Sequence, residues 1–256
     1  MFADFNIWVK ESPENVLEVL MDIESILAKL SSEVEELSFA EPVHTVYNPL
    51  KYAERPHMAF WSRYGRPKKE AVFLGMNPGP WGMAQTGVPF GEVRLVKGWM
   101  KIDEDVEKPE NEHPKRPVTG FDCTRSEVSG SRLWGWAKDR FGEPDNFFKR
   151  FFVVNYCPLI FLEESGRNRT PDKLKSMERE ALFKPCDEAL RSYIEYLGAE
   201  LVIGVGRFAA ERALAALEQK GVRIERISHP SPANPAANRG WAELVERELT
   251  DMGIKI

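Results

Sequence analysis

Apolar residues gather into four short runs separated by longer stretches with helical spacing. Ala71-Val72-Phe73-Leu74, Phe151-Phe152-Val153-Val154 and Leu201-Val202-Ile203-Gly204-Val205 are continuous, as in strands buried on both faces. Val222-Arg223-Ile224-Glu225-Arg226-Ile227 reads as a fourth strand. Helical patterns fall between and after them, at 131–141, 171–197, 207–219 and 235–249. Strands alternating with helices predict a parallel sheet covered on both sides, a three-layer α/β/α fold around four parallel strands.

Upstream, residues 13–39 read as an amphipathic helix pair. Val16, Leu17, Val19, Leu20, Ile23, Ile26, Leu27 and Leu30 keep helical spacing, and Ser12-Pro13 supplies a start with Pro at the first helical position. This acidic helical segment, about 12–40, is expected to cover the core of one domain spanning 1–256. Residues 84–130 show little periodicity and are read as a long excursion with one short helix near 93–102. Long irregular segments of this kind are often functional.

Each predicted strand runs into a chemically distinctive loop. The loops are Gly75-Met76-Asn77-Pro78-Gly79-Pro80-Trp81-Gly82, Asn155-Tyr156-Cys157-Pro158, Gly204-Val205-Gly206-Arg207, and Ser228-His229-Pro230-Ser231-Pro232-Ala233-Asn234-Pro235. The carboxyl ends of parallel strands share one sheet edge, where ligands of open α/β folds bind. The four loops are therefore expected to converge.

Composition narrows the classes. Apolar residues make up 43% of the 256, enough for a sizeable core. No run approaches the ~18 apolar residues that cross a bilayer, and the N-terminus lacks a secretory pattern. Cys123, Cys157 and Cys186 are far apart and form no CxxC pair, which disfavours a disulfide framework or a four-cysteine metal site. His113 has no nearby partner and no HxxxH or HxE spacing occurs, so neither a metal nor a cofactor is expected. A reducing cytoplasm and a monomer are the expectation. The net charge of -5 argues at first against a nucleic-acid partner. Residues 1–40, however, hold nine acids and two bases, so the rest of the chain is mildly basic. DNA responds to a local basic surface rather than to the total.

Each loop has an ordinary reading beside a chemical one. Asn77 offers an amide that can hold a water or a base edge, yet Asn, Gly and Pro are also common turn residues. His229 titrates in a range that suits a proton donor or anion stabiliser, yet a single histidine is often structural. The Asn155 amide matches a pyrimidine edge or caps the following turn. The turn at Gly206-Arg207 opens a helix and can hold a phosphate, but a lone GxG is weak. Ser131 is placed to cap a helix, and the N–H groups of Ser129 and Gly130 to meet a phosphate. Trp81, Trp99, Trp134, Trp136 and Trp241 offer stacking surfaces, and most of them read as core. Phe90, in the glycine-flanked loop Gly87-Val88-Pro89-Phe90-Gly91, is placed to stack on an extruded base.

Two longer segments decide between these readings. Residues 75–93, from Gly75-Met76-Asn77-Pro78-Gly79 to Pro89-Phe90-Gly91-Glu92-Val93, resemble the first motif of the single-strand-selective monofunctional uracil-DNA glycosylases. His229-Pro230-Ser231-Pro232, with Asn234-Pro235 and Asn238-Arg239-Gly240-Trp241, resembles their second. Asn155-Tyr156-Cys157-Pro158 and Ser126-Glu127-Val128-Ser129-Gly130 are similar to further family segments, and the likeness runs from about residue 50 to about residue 250.

The resemblance implies a repair glycosylase that releases uracil, 5-hydroxymethyluracil and related oxidised pyrimidines from single- and double-stranded DNA. It implies that Asn77 positions the water, His229 stabilises charge at O2 of the departing base, Asn155 reads the uracil edge and Phe90 stacks on it. Met76, Gly79 and Met83 would shape the space around the base. Ser129, Gly130, Arg207, Pro232, Ala233, Asn234 and Arg239 would meet DNA, the loop from Pro232 to Arg239 acting as the wedge. Ala233 departs from the pattern, because vertebrate members carry a large basic residue there. Intercalation should then be weaker or shift to Asn234, Asn238 or Arg239. Two alternatives stand beside this reading: a wider deaminated-base range including xanthine, and a damaged-DNA binder without catalysis. A phosphoesterase would want a carboxylate cluster or P-loop, and the motif loops hold no acid besides Glu92.

Overall fold

The computed structural model describes residues 13–256, with side chains from Ile23 onward. The first element is α1 (Pro13–Glu35), one continuous helix where the spacing predicted a pair. No Gly or Pro interrupts residues 14–35 to break it. It ends at a turn carrying Glu33 and Glu35 with no basic residue, an unfavourable charge at the negative end of a helix dipole. Ile23, Leu27, Leu30 and Val34 form its buried face.

The next stretch was not legible as secondary structure. It holds β1 (Thr45–Tyr47), α2 (Pro49–Tyr52) and α3 (Glu54–Tyr64). Asn48 caps α2 by accepting from the Leu50 N–H, and Pro49 sits at the first helical position. The β1 strand pairs antiparallel with β4 (Ile160–Leu162), which pairs with β5 (Asn168–Arg169). Strands of two or three residues are too short to show alternation.

The central sheet holds the four predicted strands: β2 (Ala71–Gly75), β3 (Phe151–Asn155), β6 (Leu201–Val205) and β7 (Arg223–Ile227). They are all parallel, in the order β3-β2-β6-β7. β2, β3 and β6 are buried throughout, which explains their unbroken apolar runs. β7 is an edge strand with Arg223 and Arg226 exposed.

Helices cover both faces. α9 (Arg207–Leu217) lies on β6, β7 and β2, with α8 (Ser176–Leu197) against it and α1 against α8. Opposite are α6 (Val128–Phe141), α7 (Pro144–Phe148) and α10 (Trp241–Asp251). The excursion between β2 and α6 contributes only α4 (Met83–Thr86), α5 (Val93–Gly98) and a turn at Gly120–Asp122. The helix read from 171 begins at Ser176, after a separate turn at Pro171–Lys173. The one read from 235 begins at Trp241, after a turn at Ala237–Arg239. Among the described residues no helix is long and apolar enough to cross a membrane.

Phe152 stands at the junction of sheet and helices. It is wholly buried, stacks on Phe60 at 4.8 Å, and lies 4.5 Å from Trp61 and 6.2 Å from Phe148. Phe152→Ala should cost about 3–5 kcal/mol through lost burial and an unfilled cavity, read from the urea unfolding midpoint.

Candidate active site

The parallel register sets Gly75 opposite Asn155 at the carboxyl ends of β2 and β3. A Cβ on Gly75 would lie 2.2 Å from Asn155 Oδ1 and 2.6 Å from Phe90 Cε2. The amide and the ring thus both close over a backbone that has room for hydrogen alone. Asn155 is only 9% exposed, and its Nδ2 donates to Met83 Sδ at 3.3 Å. A thioether is a weak acceptor, so most of this amide's hydrogen-bonding capacity remains for a ligand.

Phe90 holds a left-handed backbone, φ 54°, at a cost of about 1–3 kcal/mol for such a residue. Its surroundings hold it there. Trp134 Nε1 donates to the Pro89 carbonyl at 3.1 Å, and Thr86 Oγ1 to the Gly91 carbonyl at 3.1 Å. Gly130 lies directly beneath, since a Cβ there would sit 1.9 Å from the Phe90 oxygen.

That placement bears on two of the residues expected to meet DNA. Gly130 and Ser129 are buried, and the Ser129 N–H faces Glu127 Oε1 at 3.4 Å. Helix α6 starts at Val128 with Glu127 as its cap, so Ser131 lies inside the helix and caps nothing. A carboxylate at the first turn of a helix matches the positive end of the dipole.

Asn77 lies past the end of β2. Its Nδ2 donates to the Leu159 carbonyl at 3.2 Å and to its neighbour Pro78 at 3.4 Å. The Oδ1 acceptor is left without a partner among the described residues. Met76, between Gly75 and Asn77, accepts the Cys157 N–H at 2.9 Å, as Gly75 accepts that of Tyr156. Asn155 is braced from behind. The Tyr156 hydroxyl donates to Asp187 at 2.7 Å, and Arg212 grips the same carboxylate at 2.6 and 2.7 Å.

His229 follows β7, and its ring centroid lies 6.1 Å from that of Phe90. Its Nδ1 accepts the Ser231 N–H at 3.0 Å, which places the imidazole proton on Nε2. Burial holds its pKa at about 4, so it is a neutral donor near pH 7. Gly206, φ 91°, packs against it: a Cβ there would stand 3.3 Å from His229 Cβ.

The loop beyond is braced rather than loose. Asn234 Nδ2 donates to the His229 carbonyl at 3.0 Å, and Asn238 Nδ2 to that of Pro232 at 2.8 Å. Arg132 reaches across from α6 to the Pro230 carbonyl at 2.8 Å and to Asn238 Oδ1 at 2.9 Å. The Asn234 amide and the Asn238 amide are therefore engaged within the loop. Pro232, Ala233 and Arg239 are exposed. Arg207 is exposed too, 3.8 Å from Glu211 one helical turn away.

Sequence reasoning missed several contributors. Glu127 packs against the first motif loop, its Oε2 2.4 Å from where a Gly79 Cβ would sit, and burial raises its pKa. Buried His57 accepts from Trp61 Nε1 at 3.0 Å and bonds the Gly87 carbonyl at 2.7 Å, with a pKa lowered by burial to about 4. Leu30, His57, Trp61, Met83, Asn155 and Tyr193 border a small cavity behind the pocket. Leu30 gives the N-terminal helix a part in the site. These residues follow no spacing that sequence could reveal, because they come from α1, α3 and α8. Lys69 has a pKa lowered by burial to about 8, but it donates to the Phe148 carbonyl near the amino end of β2, away from Asn77. Among the described residues no group of three His, Cys, Asp or Glu could hold a metal.

Comparison with known proteins agrees with this geometry. The family model described as the uracil DNA glycosylase superfamily matches residues 62–247. The chain is 50% identical to the single-strand selective monofunctional uracil-DNA glycosylase of Rattus norvegicus, covering 88% of this chain and 82% of that protein. With the protein of that name from Bos taurus it shares 47% identity, over 95% and 89% of the two chains. A crystal structure of wild-type SMUG2 from Pedobacter heparinus superposes with a TM-score of 0.62 over 89% of this chain and 97% of that one. At 19% identity that likeness speaks for the fold alone. The chain belongs to the uracil DNA glycosylase superfamily and, within it, to the single-strand-selective monofunctional family.

Two outcomes follow. Gly75→Ala should fold yet lose affinity for free uracil at least tenfold in equilibrium titration, because its methyl displaces Asn155 and Phe90. His57 and His229 bind protons more readily unfolded than folded. Stability should thus be greatest above about pH 6.5 and fall as the pH drops towards 4. Urea midpoints across that range check the sign, and an NMR titration of His229 near 6.5 would contradict it.

Proposed function

We propose that this protein hydrolyses the bond between C1′ of deoxyribose and N1 of uracil in DNA and leaves an abasic site. The observation that carries the reading is the meeting, at one sheet edge, of an unpartnered amide oxygen, a buried amide edge under an aromatic ring, and a neutral imidazole donor. The curated relatives' names, which specify uracil-DNA glycosylase activity and single-strand selectivity, support it.

The base must first leave the helix, at a cost of a few kcal/mol that is smallest in single strands. Phe90 then offers its face and Asn155 one donor and one acceptor to the uracil edge. Met76, Gly79 and Met83 bound the remaining space, and their small or pliable character suits a substituent at the pyrimidine 5-position. On this reading 5-hydroxymethyluracil and related oxidised pyrimidines are substrates beside uracil. Pro232, Ala233 and Arg239 form the exposed tip that enters the duplex, with Asn234 as its internal brace, and Arg207 meets a phosphate nearby. The protein acts as a monomer in the cytoplasm.

Bond cleavage leaves the electron pair on the base and positive charge at C1′. An amide is too weak a base to take a proton from water outright. With its NH2 tied to Leu159, Asn77 instead accepts a hydrogen bond through Oδ1, and the water oxygen turns towards C1′. Water oxygen bonds to C1′ and the displaced proton passes to solvent. His229 Nε2–H donates to O2, where the negative charge gathers. A neutral donor suits this task, since it is already desolvated and aimed before charge develops.

Asn77→Ala and His229→Ala should each lower the single-turnover rate by ~10²–10³ while retaining oligonucleotide affinity. Near wild-type cleavage in either variant refutes its assignment. Borohydride treatment during turnover should trap no covalent enzyme–DNA adduct, because neither motif loop carries a lysine.

A further inference from the structure

Trp81, inside the first motif loop, carries two cations. The guanidinium carbons of Arg116 and Arg125 both lie 5.2 Å from its ring centroid. Neither arginine has a carboxylate within ion-pair distance among the described residues. The Arg116 guanidinium gives one hydrogen bond, Nη1 to the Lys115 carbonyl at 2.9 Å, and its Nε is buried with no acceptor. Two like charges about one ring repel each other, and a cation–π contact open to solvent is weak. Folding gains little from the arrangement, whereas an anion beside either guanidinium would relieve it.

The arrangement is also firmly built. Gln85 Nε2 donates to the Pro80 carbonyl at 2.9 Å and to that of Pro117 at 3.0 Å, and its Oε1 accepts the Thr119 N–H at 2.8 Å. One side chain thus ties the turn beside Trp81 to the segment after Arg116. The Tyr47 hydroxyl fixes the Arg116 carbonyl at 2.8 Å. On the other flank, Glu127 packs on Gly79 and Gly82 and so seats the segment carrying Arg125. These elements differ from those of the 229–239 loop.

We propose that Arg116, Trp81 and Arg125 form a clamp, beside the first motif loop, for the phosphates of the strand that carries the flipped nucleotide. Arginine's planar fork fits a phosphate, and the indole keeps both forks from collapsing onto nearby carboxylates. The clamp rests on the glycosylase reading for its ligand, DNA, but not on catalysis for its test.

The test uses the full chain and labelled single-stranded oligonucleotides with and without one uracil. Affinity is measured between about 50 and 200 mM salt, where each phosphate contact contributes about 0.7 to the slope of log K against log salt. Arg116→Ala and Arg125→Ala should each lower that slope by about 0.7 and weaken binding severalfold on both oligonucleotides. The maximal single-turnover rate should stay within twofold of wild type. Arg125→Lys should recover most of the slope, and Trp81→Phe most of the affinity. An unchanged slope in Arg125→Ala, at an unchanged urea midpoint, overturns the clamp. So does a loss confined to the maximal rate. If wild type binds with the full slope yet releases no uracil, the glycosylase reading fails and the clamp stands.

Discussion

The site depends on one close approach, that of the β2 and β3 backbones at Gly75 and Asn155. Parallel pairing fixes which residues face each other, and the register leaves no freedom at the last rung. A missing side chain at Gly75 lets an amide and an aromatic ring occupy the space above the sheet. Three residues of the candidate site are held by this contact: Phe90 through its clamped turn, Asn155 through its strand, Met83 through its touch on Asn155. Burial of β2 and β3 between two helical layers makes that register expensive to alter.

The electrostatics of the pocket follow from burial more than from charge. His229 is held neutral by desolvation, and its tautomer is set by a backbone N–H two residues on. Glu127 is pushed towards its neutral form by the same cause. Asn77, Asn155, Phe90 and the neutral His229 carry no formal charge, which on the proposed reading suits a neutral base on entering and a dispersed anion on leaving.

Much of the sheet was legible because buried parallel strands write themselves as unbroken apolar runs. All four strands lie where such runs predicted, and their loops do share one edge. Asn77, Asn155, Phe90 and His229 were singled out through motif likeness, and the structure brings Phe90 close to both Asn155 and His229. What the chain hid is support drawn from distant segments. Arg132, Glu127 and His57 act across more than 25 residues of sequence, where no periodicity connects donor and acceptor. Ser131 and Gly130 show the opposite error: a helix start read from small polar residues lies three residues earlier, because a carboxylate caps it. The paired N-terminal helices were one, since nothing in that stretch interrupts hydrogen bonding.

The ladder between β2 and β3 does not stop where the strands end. Tyr156 N–H reaches the Gly75 carbonyl, and Cys157 N–H reaches that of Met76, both at 2.9 Å. The loop bearing Asn77 is therefore stitched to the segment after Asn155 by the same bonds that make the sheet. Backbone amides in such a ladder exchange with solvent only when the cooperative unit opens. The loop bearing Asn77 thus inherits the opening free energy of its core, and Asn77 and Asn155 lose their mutual alignment only when the sheet itself comes apart.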